Sequence, residues 1–528
     1  MRHEAKCFVL AVGVMLGALL TTASAAGQQF QLMEASINEI HRSLQSGKLT
    51  CHSLVQQYLD RIEAYDQRGP ALNAMLYVNP MVLEQADTMD KQLKLGTKLG
   101  THLKPLQCIP MVLKDNFDTA DMPTTGASLA LRGMQPTKDA FTVARLRENG
   151  AVILGKTNMH ELALAGLTSS SLGGQTKNPY ELSRTPGGSS GGTGAALAAN
   201  FATVGTGSDT VNSIRSPASA NSLVGIRPTR GLISRAGVIP VSFTQDAAGP
   251  LARTVADAAV MLDVMAGYDP DDPVTALGIG RIPATYSASL DCNGLKSARI
   301  GVLRTLFGSG PDHEEVNRVM ANALEVLKRQ GVILVEIDDA AFDTGTLNSD
   351  LDVQKYEYKF QLDNFLKAQP SPPVHSLAEL IASDKYHKAS LEKFLASAES
   401  YENGLNEPDY KARRVKIDDL RVKLANLMAK NNVVALVYPH QKRLPVMIGE
   451  MNQAQRNGIL ASLAGFPAIT VPAGFSTPTV SAPIGVPVGI EFLGPPFSEP
   501  QLLQIAYGFE QATRARKPPQ STPPLNGR

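Results

Sequence analysis

Two stretches rich in glycine and serine lie close together in the sequence and could hold hydroxyl nucleophiles. The first covers residues 186–192 and the second covers residues 207–217. This composition is often that of a flexible linker, but both stretches are embedded in apolar sequence. Glycines in such a setting indicate close backbone approach or unusual backbone angles around the hydroxyl groups. We therefore treat both stretches as candidate parts of a catalytic site.

A lysine upstream of these stretches could supply the base that a hydroxyl nucleophile needs. Lys114 follows the apolar run 109–113, which is typical of a buried strand. One interpretation is a snorkelling lysine, or one paired with Asp115. The other is a desolvated lysine whose pKa is lowered enough for it to accept a proton, as in Ser–Lys pairs. Since none of the nine histidines lies in either stretch, lysine is the better candidate base.

The elements that must position these residues follow an α/β pattern. Near the N-terminus, residues 33–45 predict an amphipathic helix, and Thr50 is placed to cap a second one. From residue 108 onward, short apolar runs typical of buried strands alternate with helical segments. The predicted strands include 109–113, 151–154, 201–204, 298–302 and 433–438, and the predicted helices include 140–148, 191–199, 255–266 and 314–329. The expected fold class is α/β, with one large mixed β-sheet covered by helices.

Composition excludes several classes of protein. The 528 residues carry 50 Lys and Arg against 49 Asp and Glu, a net charge of +1. This balance argues against nucleic-acid binding and against a polybasic membrane surface. Four cysteines in a chain of this length do not make a disulfide scaffold, and their spacing fits no metal site. We expect no cofactor and no metal, and the residues leave homo-oligomer formation open.

The N-terminal residues have the pattern of an export signal. A basic start, an apolar run of 14 residues at 7–20 and a small-residue cleavage pattern at 23–25 follow in order. Residues 1–25 are thus a predicted signal peptide, which implies a secreted or periplasmic protein. No later stretch is long and apolar enough for a membrane span in the mature chain. Three cysteines remain there, Cys51, Cys108 and Cys292, so not all can pair with one another.

A series of ordered motifs resembles the amidase signature family, whose members hydrolyse carboxamide C–N bonds. Besides the two N-terminal helices and the strand that ends at Lys114, the matching segments are 155–161, 177–180, 186–192, 224–229, 249–255, 463–469 and 485–489. The resemblance implies a single amidase domain at 26–517, with a variable insertion at 338–431 whose sequence is polar and helical in pattern. The composition of residues 518–528 predicts a Pro-rich tail that we expect to be frayed.

The resemblance also implies roles for individual residues. Ser213 matches the nucleophile and Lys114 the base. Ser189 matches the bridging serine, which is held through a cis Gly188–Ser189 peptide. Protons would pass from Ser213 to Ser189 and on to neutral Lys114 while Ser213 attacks the amide carbonyl. Ammonia or an amine would then leave, and water would hydrolyse the acyl-enzyme.

The oxyanion of the tetrahedral intermediate would be met by the backbone N–H groups of Thr210, Val211, Asn212 and Ser213. Here the sequence departs from the family pattern, because the family has two glycines where this chain has Val211 and Asn212. Neither residue is proline, so the donors remain, but the side chains could narrow the pocket. Asn212 and Ser190 are candidates for the substrate pocket.

Two further residues of the second stretch, Asp209 and Arg215, are interpreted as a supporting hydrogen-bonded pair. Residues 150–157 match the phosphate-loop pattern, but the four residues between its glycines are apolar and typical of a strand, so we reject nucleotide binding.

The substrate class stays open between a small-molecule amide and a peptide amide. Two alternatives to an amidase also stay open: a non-catalytic binding or assembly protein on the same fold, and an amidotransferase subunit that passes ammonia to a partner. The predicted export signal argues against the second, because that role is cytoplasmic.

Overall fold

The computed structural model describes residues 30–99 and 102–525 of the chain. The predicted signal peptide at 1–25 lies outside these described residues. The α-helices are α1 (Ile37–Gln45), α2 (Cys51–Tyr65), α3 (Val82–Leu99), α4 (Phe141–Glu148), α5 (Gly191–Ala198), α6 (Arg215–Ala220), α7 (Val255–Met265), α8 (Glu314–Arg329), α9 (Thr344–Leu351), α10 (Gln354–Ala368), α11 (Leu377–Ala382), α12 (Lys388–Glu399), α13 (Pro408–Lys430), α14 (Ile459–Ala464) and α15 (Glu499–Thr513). The strands are β1 (Met75–Val78), β2 (Ile109–Lys114), β3 (Ala151–Thr157), β4 (Ser169–Ser170), β5 (Gly174–Gln175), β6 (Val204–Asp209), β7 (Val224–Arg227), β8 (Ala247–Ala252), β9 (Arg299–Leu303), β10 (Ile333–Ile337), β11 (Ala435–Pro439), β12 (Ala468–Phe475) and β13 (Pro487–Leu493).

One mixed sheet of 11 strands forms the centre of the molecule, in the order β1-β3-β2-β6-β8-β7-β12-β13-β11-β9-β10. Strand β2 runs parallel to both of its neighbours, β3 and β6. Strands β9 and β10 are also parallel, with α8 between them in sequence, whereas β6, β8 and β7 pair antiparallel. The predicted fold, one large mixed sheet covered by helices, is confirmed.

Most predicted elements form close to their predicted bounds. Strand β6 is an exception, because it begins later than predicted. Residues 201–204 were expected to be strand, but β6 begins only at Val204 and continues into the second glycine-rich stretch. Just after α5, the φ of Asn200 is +58°, and the N–H of Phe201 donates to the Ala196 carbonyl at 2.8 Å. Phe201 thus belongs to the end of the helix, a common way to close one, and the strand starts where pairing with Met111 begins.

The segment 338–431 contains five of the helices, α9 to α13. Side chains of α9 and α13 pack with β11 and α14 in one hydrophobic cluster. Side chains of α10, α11 and α12 pack in another, against residues that follow β2 and β3. The segment is therefore attached to the sheet domain at two places and reaches the region beyond the ends of β2 and β3.

The expectation of a frayed tail is wrong for its described part, residues 518–525. Thr522 is buried, and the Arg61 guanidinium donates to the carbonyls of Thr522 at 2.8 Å and Pro523 at 2.9 Å. Arg61 also donates to the carbonyls of Ala199 and Asn200. A buried guanidinium needs several acceptors, and the tail supplies two of them.

A disulfide joins Cys51, the first residue of α2, to Cys108, which directly precedes β2. Among residues 30–99 and 102–525, no helix is both long enough and apolar enough to cross a membrane.

Candidate active site

Lys114 is the last residue of β2, and its amine reaches the end of the neighbouring strand β6. Because the two strands are parallel, their carboxyl ends lie at the same edge of the sheet. The Lys114 Nζ lies 2.7 Å from the Ser208 Oγ and 3.3 Å from the Ser208 carbonyl. It also lies 2.7 Å from the Ser189 Oγ. The strand pairing thus brings the lysine to both glycine-rich stretches.

The alternative in which Lys114 pairs with Asp115 is wrong. The Asp115 carboxylate lies 3.4 Å from the amine of Lys156 and accepts from the backbone N–H groups of Thr125 and Ala127. Asp115, which follows the last residue of β2, therefore has partners other than Lys114. The same contact fixes Lys156 within strand β3, where residues 151–157 are all buried. This agrees with rejecting a phosphate loop at 150–157.

The Lys114 side chain is fully buried, and burial lowers the pKa of its amine to about 7 from the usual 10.5. The charges of Asp209 and Asp246 act in the opposite direction but do not outweigh the desolvation. A neutral amine has a free lone pair and can accept a proton. At neutral pH a substantial fraction of this lysine is therefore competent as a base.

The Lys114 amine contacts the Ser189 hydroxyl, and the residue after Ser189 contacts the second glycine-rich stretch. The Gly188–Ser189 peptide is cis, and the Ser189 carbonyl accepts from the backbone N–H of His160 at 2.9 Å. The next N–H, that of Ser190, donates to the Ser213 carbonyl at 3.2 Å. The structure therefore brings together all three residues predicted to be catalytic, Lys114, Ser189 and Ser213.

These three residues differ in access to solvent in a way that matters for their roles. Lys114 and Ser189 are fully buried, at 0% exposure, whereas Ser213 keeps 7%. Of the three, only Ser213 can be touched from outside, so it is the one placed to meet a substrate.

The backbone of residues 210–213 has its carbonyls occupied and its N–H groups available. Ser462 donates its hydroxyl to the Thr210 carbonyl, Arg215 donates to the Val211 carbonyl at 2.7 Å, and the Ser216 N–H donates to the Asn212 carbonyl at 2.7 Å. Within residues 30–99 and 102–525, none of the N–H groups of residues 210–213 has a hydrogen-bond acceptor. This arrangement suits the donors of an oxyanion site.

A buried network of ion pairs centred on Arg215 contacts the loop formed by residues 210–213. Its guanidinium donates to Asp209 at 3.1 Å and to Glu491 of β13 at 2.7 Å. Arg227 contacts the same Asp209 carboxylate at 3.0 Å. Burial alone would raise the pKa of Glu491, but Arg215 and His440 lower it to about 2. The predicted Asp209–Arg215 pair is thus confirmed as part of a larger ionised network.

The two residues that replace the family's glycines fit the surrounding packing. Val211 packs against the hydrophobic cluster that contains α9, α13 and α14. The Asn212 side-chain oxygen accepts from the Gly458 N–H at 3.0 Å. A Cβ on Gly458 would lie 2.4 Å from that oxygen, so glycine is needed there. The side chains of Val211 and Asn212 therefore each contact neighbouring segments of the structure.

Ser190, a predicted pocket residue, is fully buried, and its hydroxyl donates to the Ser208 carbonyl at 3.4 Å. Its role in substrate binding stays a prediction, as does that of Asn212.

Three residues near the site were missed by the sequence interpretation. Ser208 lies within the second glycine-rich stretch, so a signal was present, but nothing marked it as a ligand of Lys114. Asn116 donates to the Ser208 Oγ at 2.9 Å and follows the β2 run by only two residues. Arg456 lies near Gly188, with a distance of 3.5 Å from its Nη1 to the Gly188 carbonyl. It stands about 240 residues after the second stretch, and no local pattern pointed to it.

A cavity of about 310 Å³ lies beside this region. Ser208 and Thr210 line it, as do Gln361, Asn364 and Phe365 of α10. Its connection to the site is Ser208, whose hydroxyl contacts Lys114. Among the described residues, no group of three or more His, Cys, Asp or Glu side chains is placed to hold a metal ion.

Comparison with known proteins identifies the family. A family model described as Amidase matches residues 53–503, which is most of the chain. The chain therefore belongs to the amidase signature family and is an amidase-family enzyme.

Individual relatives agree along nearly the full length. A probable amidase of Arabidopsis thaliana is 36% identical over 529 aligned residues, covering 96% of each chain. A glutamyl-tRNA(Gln) amidotransferase subunit of a Synechococcus strain is 33% identical over 502 residues, covering 92% of this chain and 94% of that one. The native peptide amidase of Stenotrophomonas maltophilia has a similar structure, with a TM-score of 0.82 and 36% identity, covering 92% of this chain and 99% of that one.

Proposed function

We propose that the protein hydrolyses the C–N bond of linear carboxamides through an acyl-enzyme on Ser213. The Ser213 Oγ attacks the amide carbonyl and passes its proton to Ser189, which passes its own proton to the neutral amine of Lys114. The tetrahedral intermediate collapses when the proton held on Lys114 returns through Ser189 to the leaving nitrogen, and ammonia or an amine departs. Water then attacks the acyl group by the same proton path and frees Ser213.

The observation that carries this proposal is the contact of 2.7 Å between the Lys114 Nζ and the Ser189 Oγ. A lysine used only for structure would need a carboxylate to offset its burial. This one has instead two serine hydroxyls and a carbonyl and a pKa lowered to about 7. The available N–H groups of residues 210–213 support the oxyanion role, in which losing one donor typically costs about 3 kcal/mol of barrier.

The test is ammonia release from a panel of primary amides by purified wild-type protein and Ser213→Ala. We expect activity in the wild type and its loss in the variant. Ser216→Ala is the matched control, because its hydroxyl lies in the same stretch and has no hydrogen-bond partner within the described residues. The control should keep wild-type activity. Equal activity of the wild type and Ser213→Ala on every amide would refute the proposal.

A second candidate, a component of an amidotransferase, is favoured by one observation, the similarity to a glutamyl-tRNA(Gln) amidotransferase subunit. Ammonia release from glutamine that requires a partner protein would support it. Turnover of other amides by the isolated chain would support the amidase instead. A chain that releases no ammonia from any amide, alone or with partners, would fit the non-catalytic alternative.

For the substrate, the proposal extends to small-molecule or peptide amides. The similarity to a peptide amidase supports the peptide class, and the cavity lined by Ser208 and by residues of α10 is a proposed part of the substrate pocket. Phe365→Ala enlarges that cavity and should raise kcat/KM for bulky substrates relative to small ones. An unchanged ratio would contradict this pocket assignment.

We also propose that the protein is exported, with residues 26–517 as one amidase domain after removal of residues 1–25. The Cys51–Cys108 disulfide supports this, because disulfides persist in oxidising compartments. N-terminal sequencing of the protein recovered from the periplasm or medium should start near residue 26. Recovery only from the cytoplasm with an intact N-terminus would contradict it.

A further inference from the structure

Arg456 belongs to a chain segment that touches both glycine-rich stretches. Its guanidinium lies 3.5 Å from the Gly188 carbonyl, next to Ser189. Two residues later, the Gly458 N–H donates to the Asn212 side chain, next to Ser213. The arginine therefore stands beside the two serines that the proposed reaction uses.

The Arg456 guanidinium packs against Gly166, which has no side chain to exclude it. A Cβ on Gly166 would lie 2.0 Å from the Arg456 Nη1 and 2.6 Å from its central carbon. Only a residue without a side chain lets the guanidinium occupy this place. Arg456 is partly exposed to solvent as a residue, so part of it is open to a molecule that enters the site.

No carboxylate among residues 30–99 and 102–525 lies within 4.0 Å of the Arg456 guanidinium. Arg184 and Arg443, which are on neighbouring loops, are paired with Glu181 at 2.6 Å and Asp312 at 3.3 Å. Burial lowers the pKa of Arg456 to about 10, and the nearby charge of Asp209 opposes this only in part. The group is thus still a cation at neutral pH, with one long hydrogen bond for five N–H donors.

We propose that Arg456 binds a carboxylate carried by the acyl part of the amide substrate, and so selects amides with an acidic acyl group. The inference rests on the proposed function. Guanidinium and carboxylate are complementary in shape and charge, and their paired hydrogen bonds are among the stronger ones in proteins. The acyl part is the natural carrier, since a primary amide has no group on the leaving nitrogen.

The experiment compares pairs of primary amides of equal chain length with and without a terminal carboxylate. The pairs are succinamate with butyramide, glutaramate with valeramide, and adipamate with hexanamide. We expect the wild type to favour the acidic member of at least one pair by roughly 10- to 100-fold in kcat/KM, the range of a charged hydrogen bond. In Arg456→Gln this preference should disappear while the neutral amide keeps its rate within about threefold of wild type.

Two further variants separate charge from position. Arg443→Gln is the matched control, since it removes a cation that is already paired, and it should leave the preference unchanged. Gly166→Ala keeps the charge but displaces the guanidinium, and it should reduce the preference as well. If Arg456→Gln lowers both members of a pair equally, Arg456 has only a structural role and the proposal fails.

Binding of the corresponding dicarboxylates, succinate, glutarate and adipate, gives a readout that does not need catalysis. Calorimetry should show at least one of them binding to the wild type and about tenfold or more weaker binding to Arg456→Gln. Dicarboxylate binding that depends on Arg456, in a protein that hydrolyses no amide, would refute the proposed function but not this site. Amide hydrolysis that depends on Ser213 but is indifferent to charge would refute the site alone.

Discussion

Replacing Lys114 with methionine should change protein stability in a way that depends on pH. The methionine side chain has nearly the same length and no charge. In the folded protein the Lys114 amine has a pKa of about 7, and in the unfolded chain it has the usual 10.5. Between these values the unfolded chain binds a proton that the folded protein does not. The free energy of unfolding of the wild type therefore falls as pH decreases from 10.5 to 7.

The magnitude follows from this difference in proton binding. One bound proton changes the free energy of unfolding by about 1.4 kcal/mol per pH unit. From pH 9.5 to pH 7.5 the lysine should cost the wild type about 2 to 3 kcal/mol of stability. Lys114→Met lacks this cost. The variant also removes hydrogen bonds to Ser189 and Ser208, but that loss does not depend on the titration and cancels between the two pH values.

The assay is equilibrium unfolding in urea at pH 7.5 and 9.5, followed by circular dichroism or by tyrosine fluorescence, since the chain has no tryptophan. Relative to wild type, Lys114→Met should be more stable at pH 7.5 than at pH 9.5 by about 2 to 3 kcal/mol. The control is Thr206→Val, which removes a buried, non-titrating hydroxyl that accepts from the Lys114 N–H. Its effect should be equal at both pH values. An effect of Lys114→Met that is also equal at both would refute the lowered pKa, and with it the reason for assigning a base.

Three other predictions concern the same machinery. The kcat/KM of the wild type should rise as pH increases through about 7, because Lys114 loses its proton there; initial rates from pH 5.5 to 9 measure this. Lys114→Ala should lower kcat/KM for any amide that is hydrolysed more than Ser189→Ala does, because it removes the terminal base. Arg215→Met should destabilise the protein by about 3 to 5 kcal/mol in urea unfolding, because Asp209 and Glu491 lose a buried partner.

A specific experimental result would contradict each of these three predictions. A rate that is flat from pH 5.5 to 9 would argue against a base with a pKa near 7. Equal kcat/KM values for the two alanine variants would contradict the proposed order of the relay. An Arg215→Met protein that unfolds at the urea concentration of the wild type would show that the buried network contributes little.

The sequence predicted the elements near the site because their signals are local. The apolar run before Lys114 gives a buried strand, and a parallel neighbour then brings that residue to the end of β6. Short-range rules were less successful where two elements compete for the same residues. Phe201 is apolar enough for a strand, but it closes α5 instead, and only the pairing partners in the sheet decide this.

The parts of the site that could not be predicted depend on contacts between distant segments. Arg215 pairs with Glu491, 276 residues further along the chain, and Arg456 reaches Gly188 across 268 residues. Glu491 stands in an apolar run, which indicates burial but not its partner, and nothing near Arg456 in the sequence distinguishes it from a surface charge. The family resemblance indicated Ser213 and Ser189, but Ser208 as a neighbour of the Lys114 amine follows only from the geometry of the strand ends.

The most direct test of the proposed mechanism is to trap the acyl-enzyme during turnover. Wild-type protein is mixed with a slowly hydrolysed amide, quenched in acid within the first turnovers, digested and analysed by mass spectrometry. A Ser213 acyl-enzyme predicts an added acyl mass on the peptide that contains Ser213, and none in Ser213→Ala. An acyl group found on another residue, or ammonia release that persists in Ser213→Ala, would contradict it.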